Sequence, residues 1–117
     1  MAFSYVVRIA IDDAAIYDGF VGWLRDVHLA DVRRAGAQAS ELVMIDVPTG
    51  QAHVVEARYR FASRDAFREY ETSHAARLRA QGLAKLEALG ASGGSVVTFS
   101  RTTGEIVAHG EARTLAP

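Results

Sequence analysis

Residues 3–11, FSYVVRIAI, alternate between the two faces of an extended chain, and one of those faces is wholly apolar. The apolar face consists of Phe3, Tyr5, Val7, Ile9 and Ile11. This two-residue period predicts a β-strand that buries one side, so the chain must fold around a sheet.

A helical period follows the first strand. Asp12 or Asp13 is predicted to cap this helix, and Ala35-Gly36 is predicted to end it. At about 100° per residue, one apolar arc contains Ile16, Tyr17, Phe20, Val21, Trp23, Leu24, Val27, His28 and Val32. A titratable ring, His28, therefore lies where the apolar arc should continue.

The remaining segments predict a hairpin, a second helix and a last strand. Residues 39–47 and 53–61 are extended runs around a Pro48-Thr49-Gly50 turn. Ser63 is predicted to cap the second helix, whose inner stripe is Phe67, Tyr70, His74 and Leu78. A break or a new helical segment is predicted beyond Gln81-Gly82. A loop is predicted over 90–94 and a strand from Ser95 to Arg101, with further extended chain over 105–108 after a Thr103-Gly104 turn.

The order β-α-β-β-α-β predicts an α+β, ferredoxin-like fold with a four-stranded antiparallel sheet and helices on one face. The length of 117 residues suits a single domain over 1–117, with 109–117 as a flexible tail. The uncovered sheet face carries Arg8, Glu56 and Arg58. We expect a homodimer that closes sheet to sheet, with opposite charges paired between or within subunits.

Composition excludes several classes of function. A formal net charge of −1 favours neither nucleic acid nor an anionic membrane as a partner. The absence of cysteine excludes disulfides, thiolate zinc sites and a cysteine nucleophile. Neither a glycine-rich phosphate loop nor a Gly-x-Ser-x-Gly elbow occurs. With no basic region before the first apolar run and no cleavage site after it, a cytoplasmic location is expected.

Aromatic and imidazole side chains share the predicted inner faces, which suggests a cavity between helices and sheet. The candidate catalytic residues are His28 and His74, and the candidate substrate-binding residues are Tyr5, Trp23, His53, Tyr59 and Tyr70. A neutral imidazole can accept a proton from an activated carbon or a phenol, and tyrosine hydroxyls can hold the resulting oxyanion. Such a cavity suits an aromatic or polyketide-like ligand and requires no cofactor.

Two alternatives compete with this hypothesis. His28 can be a packing residue that donates a hydrogen bond to a carbonyl or to Asp31. His28, Asp31 and His74 could also form a two-histidine, one-carboxylate metal site, but their spacing is weak support and we predict no metal.

The run Phe20-x-x-Trp23-Leu24-x-x-x-His28-Leu29-x-Asp31-Val32-x-x-x-Gly36, with Tyr59, Phe67, Tyr70 and Ala75-x-x-Leu78-Arg79, resembles a known family. It is a family of small bacterial proteins of unknown function in the dimeric α/β-barrel superfamily, and the resemblance covers roughly residues 4–89. That superfamily includes cofactor-independent antibiotic-biosynthesis monooxygenases, haem-degrading enzymes and muconolactone-isomerase-like proteins. The resemblance therefore implies a dimeric barrel and selects no single chemistry.

Three functions remain open from the sequence. The chain can be a cofactor-free monooxygenase or isomerase that abstracts a proton, a non-catalytic binder of a small aromatic or lipid-like metabolite, or a structural or regulatory dimer with a filled core. Ligand binding separates the first two from the third, and turnover separates the first from the second.

Overall fold

The computed structural model describes residues 1–91, 96–110 and 112. The strands are β1 (Phe3–Ile11), β2 (Ala39–Ile45), β3 (His53–Phe61) and β4 (Val97–Glu105). The helices are α1 (Ala14–Trp23), α2 (Leu29–Arg34), α3 (Arg64–Ser73) and α4 (Ala75–Ala88), and a π-helical turn, Leu24–His28, joins α1 to α2. The strands form an antiparallel sheet in the order β2-β3-β1-β4 with the helices on one face, which confirms the predicted ferredoxin-like α+β fold.

The strand pairing confirms the predicted β2–β3 hairpin, in which Gly50 takes a φ of 88° in the turn. The prediction of a turn at Thr103-Gly104 is wrong. β4 passes straight through these residues, because its whole length pairs with β1, from Ile11 opposite Val97 to Phe3 opposite Glu105. Tertiary pairing here overrides the local preference for a turn. The predicted loop over 90–94 lies largely outside the described residues, as do Ser95 and most of the predicted tail over 109–117.

The first helix begins as predicted, with the Asp13 carboxylate accepting a hydrogen bond from the backbone N–H of Ile16 at 2.9 Å. The regular α-helical phase holds only as far as Trp23. The π turn then inserts extra chain, so Val27 is 42% exposed although the α-helical period predicted it to be buried. Leu29, which that period did not place in the apolar arc, is buried instead.

The second helical region divides at His74 and not beyond Gln81-Gly82, so the predicted position of the break is wrong. His74 has φ −131° and ψ −32°, outside the helical range, and separates α3 from α4. α4 continues through Gly82, which faces Trp23. A Cβ placed on Gly82 would lie 3.8 Å from the indole ring, in ordinary van der Waals contact.

Charged residues on the uncovered sheet face pair within the chain. Glu56 lies at the centre of this network, 2.6 Å from Arg8 and 2.9 Å from Arg58, and Arg58 lies 3.6 Å from Glu41. Val54, also on this face, is already buried within the chain.

Candidate functional site

A cavity of about 170 Å³ lies between the sheet, α1, the π turn and α4. Two clusters of buried residues form the hydrophobic core, and residues of both clusters line the cavity. Its lining comprises Tyr5, Val7, Ile9, Phe20, Trp23, Leu24, His28, Ala57, Tyr59, Tyr70, Leu78, Arg79, Gly82, Leu83, Phe99 and Arg101. Because an apolar cavity of about 150 Å³ can hold a benzene molecule, this one is large enough for an aromatic ring.

The π turn determines where His28 points. The backbone N–H of Leu29 donates to the carbonyl of Leu24, the five-residue spacing that defines a π-helix. In a regular α-helix, side chains five residues apart lie about 140° from each other around the axis. The π turn brings the rings of Trp23 and His28 together instead, stacked with centroids 5.0 Å apart and planes at 26°. Trp23 also stacks on Phe20 at 5.5 Å, so three flat rings form one wall of the cavity.

Two residues that line the cavity each carry a buried polar atom with no hydrogen-bond partner among the described residues: Nδ1 of His28 and the hydroxyl of Tyr59. The alternative in which His28 donates a hydrogen bond to a carbonyl or to Asp31 is not seen at Nδ1, which has no partner among the described residues. Buried polar atoms in proteins are normally paired, since an unpaired one costs about 1–3 kcal/mol. Because both residues line the cavity, these two groups are the candidate polar contacts of the site.

Burial sets the protonation states of these groups. It lowers the pKa of His28 below its ordinary value of 6.5, with the nearby Asp31 charge acting in the opposite direction. Burial, reinforced by the neighbouring Tyr70 and Tyr5, raises the pKa of Tyr59 far above 10. It also raises the pKa of Tyr70 to about 12. At neutral pH the cavity therefore presents a neutral imidazole that can accept a proton and phenol groups that can donate hydrogen bonds.

Two arginines lie at the mouth of the cavity beside the Tyr5 hydroxyl. Nε of Arg101 donates to that hydroxyl at 3.2 Å, and the guanidinium lies 5.8 Å from the centre of the Phe99 ring. Arg79 approaches from α4, and its interaction with the Tyr5 hydroxyl raises the pKa of its guanidinium. Leu83 and Phe99 complete the mouth and are 60% and 36% exposed.

The structure brings five of the predicted site residues to this cavity and leaves two elsewhere. Those at the cavity are Tyr5, Trp23, His28, Tyr59 and Tyr70. His74, and His53 as a further candidate, were expected to share this cavity with His28, but neither contributes to these walls.

Each of the other two histidines has a local reason for its position. His53 lies at the start of β3, where its ring contacts Tyr17 at a centroid distance of 5.2 Å. His74 lies in a separate surface cleft with Asp31, Arg34 and Gln81, and its Nδ1 is 3.1 Å from Nη2 of Arg77. The break between α3 and α4 at His74 removes it from the stripe that a continuous helix would have formed.

The described part of the chain contains no group of three or more His, Asp or Glu residues placed to bind a metal ion. The structure thus does not assemble the alternative site of His28, Asp31 and His74. Within the same residues, no helix is both long and apolar enough to cross a membrane.

The sequence reasoning missed Gly82, Leu83, Phe99 and Arg101 as cavity residues and cited Arg79 only in the family resemblance. A signal for two of them was present. Val97, Phe99 and Arg101 alternate along the last strand, so they share one face, and that face is the one directed at the helices. No comparable local signal identifies Gly82 or Leu83, because their role depends on where α4 crosses α1.

Solved structures share this fold. A dimeric ferredoxin-like protein from an uncultured marine organism matches with a TM-score of 0.67 at 12% identity, over 93% of this chain and 98% of its own. A variant of SnoaB, a cofactor-independent oxygenase from Streptomyces nogalater, matches with 0.55 at 16% identity, over 92% and 95%. The ActVA-Orf6 monooxygenase of Streptomyces coelicolor, in complex with nanaomycin D, matches with 0.53 at 18% identity, over 92% of each chain. No family model and no curated protein matches the chain. At these identities the likeness shows the fold alone.

Proposed function

We propose that the cavity binds a small hydroxylated aromatic compound and that His28 abstracts a proton from it, as in a cofactor-independent monooxygenase or an isomerase. The observation that carries this proposal is the pair of partnerless polar atoms, Nδ1 of His28 and the Tyr59 hydroxyl, in one largely apolar cavity. A ligand hydroxyl would satisfy both atoms, because it can donate to the imidazole and accept from the phenol.

The first step is a proton transfer between ligand and protein. With its own proton on Nε2, the neutral ring of His28 has a lone pair on Nδ1, which takes the proton of the ligand hydroxyl. Trp23 stacks on His28 and offers a flat surface on which an aromatic ligand can lie. Tyr59 donates a hydrogen bond to the oxyanion that forms, and its raised pKa keeps its own proton in place.

The anion then has two fates, which distinguish the two enzyme types. Reprotonation at another atom gives an isomer. Reaction with molecular oxygen gives a monooxygenase product: the substrate loses two hydrogen atoms and gains one oxygen atom, and the second oxygen atom leaves as water. The second fate is supported by the fold shared with SnoaB and ActVA-Orf6, which are described as a cofactor-independent oxygenase and a monooxygenase.

We also propose that the protein is a homodimer, as the marine ferredoxin-like protein is. We assign the sheet face that carries Arg8, Glu56 and Arg58 to the contact with the second copy, because the helices leave this face uncovered. The cytoplasmic location stays a prediction. We assign no catalytic role to His74, because the cavity does not include it.

Substitutions at Gly82 test whether the cavity is the binding site. Gly82→Leu places a branched side chain among Trp23, Phe20 and the cavity space, whereas Gly82→Ala adds only a methyl group at contact distance. The alanine variant is a matched control and should be more stable, because alanine favours helix by about 1 kcal/mol over glycine. We would titrate phenol, 1-naphthol and 1-anthrol by calorimetry, and follow oxygen uptake and product formation with each compound.

The expected result is binding to the wild type and to Gly82→Ala, with at least a tenfold loss of affinity in Gly82→Leu. His28→Asn should retain binding of at least one phenol and lose turnover, because the amide is no base at neutral pH. Binding without any oxygen uptake or isomerisation by the wild type would favour the non-catalytic binder. Equal affinities in all Gly82 variants would contradict binding in this cavity.

A further inference from the structure

Arg79 and Arg101 are two of the five arginines that have no Asp or Glu within ion-pair distance among the described residues, the others being Arg33, Arg60 and Arg77. Within the described ranges, six arginines lie within ion-pair distance of an Asp or Glu: Arg8, Arg25, Arg34, Arg58, Arg64 and Arg68. Among the described residues, neither Arg79 nor Arg101 has an Asp or Glu at this distance, and both lie on the rim of the cavity.

The cavity lining also contains no acidic side chain among the residues that the structure describes. With His28 neutral, the charge of the lining is carried by two guanidinium groups alone. Low-dielectric walls around charges of one sign strengthen the attraction for a ligand of the opposite sign. The cavity is therefore matched to an anion at its mouth and to a neutral aromatic hydroxyl in its interior.

The two guanidinium groups approach from different elements, Arg79 from α4 and Arg101 from β4, and meet beside the Tyr5 hydroxyl. Arg101 is held there by its hydrogen bond to Tyr5 and by contact with the Phe99 ring. A guanidinium restrained in this way loses less side-chain freedom on binding a planar anion.

We propose that the natural ligand is an aromatic hydroxy acid whose carboxylate binds Arg79 and Arg101 at the mouth while its hydroxyl reaches His28 and Tyr59. This inference rests on the proposed function and adds the substrate class of the same site. Arg79 and Arg101 are then the residues that select the acid over a neutral aromatic compound. A carboxylate is favoured because its two oxygens match the forked geometry of a guanidinium.

The test compares 6-hydroxy-2-naphthoic acid with its neutral amide, 6-hydroxy-2-naphthamide, by calorimetry at pH 7.5. The two compounds share ring and hydroxyl and differ in charge. The wild type should bind the acid about tenfold more tightly, since a charge-assisted hydrogen bond is stronger than a neutral one and a solvent-exposed rim weakens both. The preference should shrink as salt is raised, because the ion pair is screened.

Arg79→Gln should remove most of this preference while leaving the affinity for the amide within about twofold of wild type. Glutamine suits the helix, and Arg79 is exposed, so this variant is expected to fold. Arg101→Gln tests the second arginine, with its stability checked because the bond to Tyr5 is lost. Arg77→Gln is the matched control: it removes the same charge from the same helix, outside the cavity, and should retain the full preference.

The outcomes separate the two proposals. If the amide binds in the cavity and the acid binds no more tightly, the carboxylate inference is overturned while the proposed function stands. A preference for the acid that Arg77→Gln reduces as much as Arg79→Gln would also overturn it, because general charge would then explain the effect. If neither compound binds, the proposed function fails and the inference fails with it.

Discussion

Removing the hydroxyl of Tyr59 should stabilise the ligand-free protein and weaken ligand binding. The side chain is 4% exposed, and its hydroxyl has no hydrogen-bond partner among the described residues. Tyr59→Phe keeps the ring and its stacking on Tyr5, whose centroid lies 5.8 Å away. The substitution therefore removes an unpaired polar atom and little else.

The size of the effect follows from the cost of such an atom. An unsatisfied buried hydroxyl costs about 1–3 kcal/mol, and we expect the lower end because the cavity is partly open to solvent. For a chain of 117 residues, the unfolding entropy near 60 °C is about 0.25 kcal/mol per kelvin. A gain of about 1 kcal/mol should thus raise the melting temperature by about 4 °C.

The measurement is denaturant and thermal unfolding of Tyr59→Phe beside Tyr5→Phe. The Tyr5 hydroxyl accepts a hydrogen bond from Arg101, so its removal should cost about 0.5–1 kcal/mol. The two tyrosine-to-phenylalanine changes, on neighbouring strands of one cavity, should have opposite signs. A loss of 1 kcal/mol or more in Tyr59→Phe would refute the reasoning, because it would show that this hydroxyl is hydrogen-bonded in the free protein.

Three further predictions concern His28, Trp23 and assembly. Because the pKa of His28 is lower in the folded chain than in the unfolded chain, the unfolded chain binds protons more tightly, and stability should fall as pH decreases below about 6.5. The free energy of unfolding should fall by at most about 1.4 kcal/mol per pH unit. His28→Asn should reduce this fall when unfolding is measured at pH 7.5 and 5.5. Equal pH dependence in the variant and the wild type would contradict the lowered pKa of His28. Trp23→Ala should lower the free energy of unfolding by about 3 kcal/mol, the lower end for a large aromatic ring, because the indole stacks on two rings but lies partly exposed on the cavity wall. A loss under 1 kcal/mol in denaturant unfolding would contradict that packing. Equilibrium sedimentation should show a dimer at micromolar concentration, weakened by Glu56→Lys, whereas a monomer at high micromolar concentration would exclude the proposed sheet-to-sheet assembly.

The sequence carries enough information to predict the sheet and its helices. β1 and β3 have strict two-residue alternation, and their observed bounds, Phe3–Ile11 and His53–Phe61, match the predicted ones. The caps at Asp13 and Ser63 were also predictable from the sequence. In each cap the side-chain oxygen accepts a hydrogen bond from the backbone N–H three residues later. These are local features, and local chemistry decides them.

The candidate site was only partly predictable, because the helical regions contain two irregularities, one at each of its predicted catalytic histidines. The π turn at Leu24–His28 retains His28 on the inner side, stacked on Trp23, and turns Val27 outward. The break at His74 removes that residue from the cavity. A single period of about 100° per residue describes neither event. The alternation of Phe99 and Arg101 places them on one face of β4, but their position at the site depends on the pairing of β4 with β1, about 90 residues distant in sequence, which no local pattern specifies.

The unfavourable features of the described chain are concentrated at residues that line one cavity. Within the described chain, the buried polar side-chain atoms without a partner are those of His28 and Tyr59, and both residues line the same cavity. A filled core could replace them with apolar side chains at a gain in stability, since each unpaired atom costs about 1–3 kcal/mol. The π turn adds a further departure from regular geometry, and π turns are frequent at functional sites. A structural dimer needs none of these features, whereas the proposed function uses the imidazole of His28 to take a proton and the hydroxyl of Tyr59 to bind the resulting anion.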